Sequence, residues 1–252
     1  MQTIIHGDCL DEMMEIPEES IDMILCDLPY GITACKWDTV IPFIPLWEHY
    51  NRIIKDNGAI VLFGSEPFSS ALRMSNIKNY KYDWVWEKPQ PSNSLLAKKQ
   101  PLKYTENIVI FYNKQPIYNP QMWMGKPNHS RNDNGAEMKS EIIGSSIKRT
   151  KTNIDGIKYP RNILKMPAVR QSKLHPTQKP VALLEYLIKT YTNEGDLVLD
   201  NCAGSFTTAI ASENLKRNWI CIEKEEEYCD IGRKRITENR ERLRILDNKI
   251  NK

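Results

Sequence analysis

Short, almost wholly apolar runs alternate along this chain with longer stretches of helical periodicity. That is the pattern of an α/β fold whose parallel strands are buried on both faces. Residues 21–26, 59–63 and 219–222 are the plainest apolar runs, and 2–6, 80–86, 107–112 and 196–200 read as further strands. Helical spacing predicts helices over 9–15, over 42–56 with Asn57-Gly58 as the stop signal, and from Glu66-Pro67 to about residue 75. It predicts others over 180–191, with an apolar stripe at Leu183, Leu184, Leu187 and Ile188, over 206–214, and over 225–247. The last is a long charged helix expected to pack through Tyr228, Ile231, Ile236 and Leu243. Between 113 and 174 periodicity fades among scattered Gly, Pro and Asn. The expected organisation is a domain half over 1–112, an insertion over 113–174, and the second half of the same domain over 175–252.

Several strands end in an acid. The run 21–26 leads into Asp27-Leu28-Pro29-Tyr30-Gly31, where Pro29 and Gly31 force the chain off the sheet. This places a carboxylate, a rigid turn and an aromatic ring at the carboxyl end of a strand, where open α/β sheets bind ligands. Tyr30 there can stack on a flat heterocycle or simply pack. The strand over 196–200 ends in Asp200, and Asn201-Cys202-Ala203-Gly204-Ser205 follows as a small-residue turn into a helix. Strand, tight turn and helix N-terminus is the nucleotide cradle of Rossmann-like folds. Glu223 closes the next strand as an acid placed to bind ribose hydroxyls. Asp8 follows the first strand and can cap the next helix, accept from an exocyclic amine, or both.

Taken together, these stretches resemble the β group of S-adenosylmethionine-dependent DNA amino-methyltransferases. That family carries an (Asp/Asn/Ser)-Pro-Pro-aromatic catalytic motif, matched by Asp27-Leu28-Pro29-Tyr30, and a glycine-containing cofactor loop, matched by 200–206. His175-Pro176-Thr177-Gln178-Lys179-Pro180 looks like the segment that precedes the cofactor loop in the β group. The order of catalytic motif, variable region, His-Pro-Thr segment and cofactor loop is also that group's order, over roughly 7–228.

The resemblance implies a Rossmann-like methyltransferase fold, a mostly parallel doubly wound sheet with a basic target-recognition insertion. It implies catalysis through Asp27, Leu28, Pro29 and Tyr30. Asp27 and the Leu28 carbonyl would accept hydrogen bonds from an exocyclic amine, while Tyr30 stacks on a base swung out of the helix. It implies S-adenosylmethionine, without a metal, held by Asp8, Cys9, Asp27, His175, Thr177 and Lys179 together with Asp200, Asn201, Ala203, Gly204, Ser205, Thr207 and Glu223. Two positions depart from the family pattern. Leu28 replaces a proline but keeps the carbonyl, and Phe206 stands where a second glycine is usual. A cofactor fits only if the Phe206 ring turns into the interior. An Asp at the head of the motif leans toward the N6 of adenine. The N4 of cytosine is the alternative, and a degenerate DNA-binding protein retaining the fold is another. A plain Rossmann oxidoreductase lacks its Gly-x-Gly-x-x-Gly fingerprint here.

Charge sharpens the picture of the insertion. The chain carries +3 overall. Residues 114–174 hold eight Lys and four Arg against two Asp and two Glu, a net +8 that leaves −5 elsewhere. Such asymmetry fits a basic face for a polyanion. Lys148, Arg149, Lys151 and Arg161 are its leading candidates for DNA contact. The implied partner is double-stranded DNA, with a restriction endonuclease or a second copy left open. No run of 18 apolar residues occurs and the first residues lack signal-peptide character, so no membrane partner and a cytoplasmic location are expected. The six cysteines show no metal spacing and read as reduced thiols. No Pro-Cys dipeptide is present, which argues against a 5-methylcytosine enzyme.

Overall fold

The computed structural model describes residues 1–33, 35, 38–126, 137–140, 145–148, 155–168 and 178–250. In chain order the first elements are β1 (Gln2–His6), α1 (Cys9–Glu12), β2 (Ile21–Cys26), α2 (Phe43–Ile53), β3 (Ile54–Gly64) and α3 (Phe68–Ser75). Next come β4 (Tyr80–Glu87), β5 (Thr105–Phe111), β6 (Trp123–Met124), β7 (Glu137–Ser140), β8 (Ser145–Lys148), β9 (Ile157–Lys158) and β10 (Ile163–Lys165). The chain closes with α4 (Val181–Tyr191), β11 (Leu197–Asp200), α5 (Thr207–Asn214), β12 (Asn218–Glu223) and α6 (Glu226–Ile250).

Eight strands form one sheet in the order β1-β12-β11-β2-β3-β5-β4-β10. Its neighbours run parallel except where β5 lies antiparallel to both β3 and β4. The expected mostly parallel, Rossmann-like sheet is what forms. β2 shows why these runs carry so few polar residues. Ile24 and Cys26 pack on one face with Leu46, Tyr50 and Ile53 of α2, while Met23 and Leu25 pack on the other with Leu183 and Leu187 of α4. The central pair β11 and β2 is the switch point from which the strand order runs outward in both directions. Ligands of open sheets bind beyond the carboxyl ends of such a pair.

Helix α2 is shorter than its pattern suggested. It stops at Ile53, and Asn57-Gly58 lies inside β3. Ile21 pairs with Ile54 and Met23 with Ala59, so residues 55–58 bulge out of the ladder. The turn signal is real but shapes a bulge rather than ending a helix. Two compact units emerge, Met1–Asn119 with Asn162–Lys252, and Pro120–Arg161. The second lies within the expected insertion, and its outer parts at 113–119 and 162–168 belong to the first unit. In the second unit β6 pairs with β9 and β7 with β8, both antiparallel. The Arg161 guanidinium lies 5.0 Å from the Trp123 ring centroid. All six cysteines are free thiols; Cys9, Cys26, Cys221 and Cys229 are buried, and Cys35 is exposed. Among the described residues no helix is long and apolar enough to cross a membrane.

Candidate active site

Four strand ends converge on one cavity of about 650 Å³. β2 delivers Asp27, Leu28, Pro29 and Tyr30 to its wall, and β1 delivers Gly7, Asp8 and Cys9. β11 and its turn add Asp200, Asn201, Ala203, Gly204, Ser205 and Thr207, and β12 adds Glu223. Lys179 lines the same space from the segment before α4. Every expected catalytic and cofactor residue that is described thus faces one cavity. His175 and Thr177 lie outside the described residues, as do Arg149 and Lys151, and the side chain of Lys148.

The centre of the site is the Asp27 carboxylate. Its Oδ1 accepts from the Tyr30 hydroxyl at 2.6 Å, and its Oδ2 accepts from the Lys179 ammonium at 2.6 Å. A carboxylate offers about four lone-pair sites, so both oxygens retain capacity for another donor. The Lys179 Nζ also lies 3.3 Å from Glu106 Oε2, and Lys88 donates to Glu106 Oε1 at 2.8 Å. Glu106 reaches this edge because β5 is antiparallel and therefore begins where β2, β3 and β4 end. The result is a charge-alternating row: Asp27, Lys179, Glu106, Lys88. Lys179 is 8 % exposed, a depth that an ammonium occupies only when paired.

The row sorts its charges. Burial works against ionised Glu106, but the ammoniums of Lys179 and Lys88 outweigh it and hold the carboxyl at about 2. Burial likewise opposes the Lys179 charge, which Asp27 and Glu106 more than restore. For Asp27 burial wins: its carboxyl is pushed above the usual range, against Lys179 and with help from the negative Glu106. Asp27 is therefore the member of the row most ready to receive a proton. The Tyr30 phenol is pushed up by burial and by the adjacent Asp27, so it stays a donor. Its ring stacks on Phe68 at 5.0 Å between centroids.

The chain after the motif is held by Asp38, whose carboxylate accepts from the N–H groups of Gly31, Ile32 and Thr33 at 2.8, 2.9 and 2.6 Å. Gly31 sits at φ 68°, and a Cβ there would lie 2.9 Å from Val40. Both facts require glycine at this turn.

On the cofactor side, Glu223 fastens the loop. Its Oε2 accepts from Gly204 N–H at 2.7 Å and its Oε1 from Glu225 N–H at 2.9 Å. Asp200 accepts from Cys202 N–H at 3.1 Å and from the Thr208 hydroxyl at 2.6 Å, and burial lifts its carboxyl to about 6. Asp8 does cap α1, accepting from Leu10 N–H at 3.0 Å, while its other oxygen meets Lys224 at 3.0 Å. Asn201 is steadied by the Tyr50 hydroxyl at 2.6 Å.

Phe206 resolves in the way the departure demanded. Its backbone adopts φ 59°, ψ 34°, the left-handed conformation natural to the glycine it replaces. Its ring is fully buried and does not line the cavity. The space is supplied by Gly232 on α6, where a Cβ would come within 2.3 Å of the ring. Arg235, one turn on, donates to Ser205 O at 2.5 Å and to Thr207 Oγ1 at 2.9 Å, so α6 grips the loop from behind.

With this geometry in hand, comparison with known proteins is decisive. A family model described as DNA methylase, of the N6/N4 methyltransferase type, matches residues 21–234. The chain belongs to the DNA methylase family. Among relatives of this methylase, a DNA adenine methyltransferase, YhdJ of Escherichia coli (strain K12), is 32 % identical over 93 % of the chain and 82 % of its own length. The type II methyltransferase M2.MboI of Moraxella bovis is 28 % identical over 93 % of the chain and 87 % of its own. The crystal structure of an M1.HpyAVI–SAM complex superposes with a TM-score of 0.62 at 26 % identity, covering 93 % of the methylase and all of that chain.

Lys179 stood among the expected cofactor residues, and its ammonium is on the Asp27 carboxylate. Lys88 belongs to the polar loop over 87–94 that resembles the family segment lining the target-base pocket, and Glu106 was legible beside it without a role, whereas Asp38 and Arg235 carried no motif of their own. Gly232 did leave a trace: an isolated glycine inside a charged helical stretch signals a close packing partner.

Proposed function

We propose that this methylase transfers a methyl group from S-adenosylmethionine to the N6 of adenine in double-stranded DNA. The observation that carries the reading is the shared cavity, in which a half-buried, doubly hydrogen-bonded Asp27 shares the wall with the turn that Glu223 fastens. That turn suits the cofactor: small residues let its backbone approach a ligand closely, and acids sit at three strand ends around it. S-adenosylmethionine, when bound, supplies an electrophilic methyl on a sulfonium, whose carbon–sulfur bond breaks as the amine nitrogen bonds the methyl carbon.

The residues of the chain make the amine competent. The lone pair of N6 is delocalised into the purine ring. Asp27 and the Leu28 carbonyl accept from the NH2 group and favour a pyramidal nitrogen with its lone pair exposed. The proton lost from nitrogen passes to Asp27, whose carboxyl burial has already raised. Lys179 and Tyr30 keep that carboxylate fixed, and the Lys179 charge favours its ionised form, so the proton is released to solvent before the next turnover. Much of the barrier is met by orientation, since both reactants are held in one cavity. Removing the base from the helix costs a few kcal/mol, to which stacking inside the pocket responds. The basic segment within 113–174, including Lys148, Arg149, Lys151 and Arg161, is assigned to the DNA backbone and target sequence. A companion endonuclease or a second copy of the chain belongs to the same reading as an accessory partner.

The test is digestion to nucleosides, with mass detection, of duplex DNA incubated with the protein and labelled S-adenosylmethionine. N6-methyladenine is expected. N4-methylcytosine alone would redirect the reading to the other exocyclic amine, and no labelled nucleoside would mark a degenerate fold.

A further inference from the structure

The rim of the cavity carries a feature that the chemistry at Asp27 does not use. Between β4 and β5 the chain makes a loop whose root residues Gln90, Pro91 and Ser92 line the cavity beside Asp27 and Tyr30. At its tip Leu95 is 99 % exposed, with Leu96 and Leu102 also open to solvent. The loop is nonetheless well braced. Asn93 closes its base, accepting from Lys103 N–H at 2.6 Å and donating to Pro101 O at 3.0 Å, while Ser92 N–H donates to Lys103 O at 3.0 Å. The tip is a 3₁₀ turn, with Leu96 N–H on Asn93 O at 2.9 Å and Lys99 N–H on Leu96 O at 2.8 Å. The Lys103 ammonium donates to Ser65, another wall residue, and ties the loop to the cavity mouth.

A leucine held in water on a braced turn has no folding role to account for it. Lys98 and Lys99 beside it are exposed, and no carboxylate among the described residues pairs with either. An apolar point flanked by two cations, rooted at the pocket for an extruded base, matches one surface: a base stack bordered by phosphates. Proteins that open a duplex insert leucine-sized wedges between base steps in this way. We propose that the 92–103 loop is a DNA wedge, with Leu95 entering the stack beside the target adenine and Lys98 and Lys99 on the flanking phosphates. This rests on the DNA-methylating reading above and adds how the duplex is opened.

The test begins with wild-type protein. DNA of mixed sequence is methylated and sequenced for modified positions, which yields a target duplex for synthesis. Two versions are made, one with the target adenine paired and one with it facing an abasic site, where extrusion needs little work. On the paired duplex Leu95→Ala should lower kcat/KM at least tenfold, and should weaken the fluorescence rise of 2-aminopurine placed at the target. On the abasic duplex it should fall within threefold of wild type. Leu95→Phe, which keeps an apolar wedge, should retain activity on both. Lys98→Ala with Lys99→Ala should reduce the slope of log affinity against log salt by about 2, at roughly 0.9 per phosphate contact. Isothermal titration with S-adenosylmethionine should give the same affinity in every variant. Wild-type rates for Leu95→Ala on the paired duplex, or an equal loss on both duplexes, would overturn the wedge while leaving the methyltransferase reading intact. Absence of any methylated base with wild-type protein would instead overturn that reading.

Discussion

Glu106 and Lys179 touch the same charge row from opposite signs, so their removal should move Asp27 in opposite directions. Replacing Glu106 by Gln imitates its protonated form, so the cost follows from its titration. The carboxyl falls from 4.5 to about 2 on folding. At 1.36 kcal/mol per unit, that shift is worth about 3 kcal/mol. Because the folded value lies below the unfolded one, this stability is complete above pH 4.5 and is lost as the pH falls through about 2. Glu106→Gln should thus lower Tm by roughly 6–12 °C in a chain of this size. Yet the same change withdraws a negative charge that raises Asp27. The acid limb of the pH–rate profile should therefore shift to lower pH in a less stable protein. Lys179→Met removes the ammonium that holds Asp27 ionised, and its acid limb should shift to higher pH. Breaking a buried pair in this way costs roughly 3–5 kcal/mol. Methyl transfer at saturating S-adenosylmethionine between pH 5 and 9, with thermal unfolding of each variant, reads both effects. Acid limbs that move together, or that ignore both substitutions, would refute the assignment of Asp27 as the titrating acceptor.

Two other expectations follow from residues away from that row. Phe206→Gly should bind S-adenosylmethionine within a few-fold of wild type by isothermal titration, because the ring points into the α6 interface and not the cavity. It should lose stability, since emptying a buried aromatic site costs about 3–5 kcal/mol and relief of the left-handed backbone returns only about 1. Neutralising Lys148, Arg149 and Lys151 together should weaken duplex binding and flatten its salt dependence by up to about 3 in slope, measured as log affinity against log salt. An unchanged slope would move the DNA-binding face elsewhere.

The elements that carry the site were largely legible in the sequence. β2 stands where its apolar run predicted, because a strand buried on both faces must be continuously apolar. The acids Asp27, Asp200 and Glu223 were legible for a related reason: charge at the end of such a run lies at the sheet edge that opens on the cavity. The members of the row behind Asp27 were legible as site residues, but their pairing was not. Glu106 and Lys179 are 73 positions apart, and they meet only because β5 runs against its neighbours and brings its first residues to the shared edge. The Phe206 problem was visible and its solution was not, since Gly232 and Phe206 become complementary only once α6 docks on the loop. Asn57-Gly58 was misleading for a third reason. The same dipeptide ends a helix or bulges a strand, and only pairing with β2 distinguishes the two.

The account stands most directly on Asp27, and one substitution separates its two roles. Asp27→Asn keeps the shape of the side chain and removes the acceptor charge. Because folding raises the Asp27 carboxyl, its charge costs stability at neutral pH, a cost that protonation relieves as the pH falls. The amide should therefore unfold no earlier than wild type. Isothermal titration should show S-adenosylmethionine binding within a few-fold of wild type, while N6-methyladenine formation in duplex DNA falls at least a hundredfold, on the order expected for loss of a catalytic acceptor. Wild-type methylation by this variant would contradict the account.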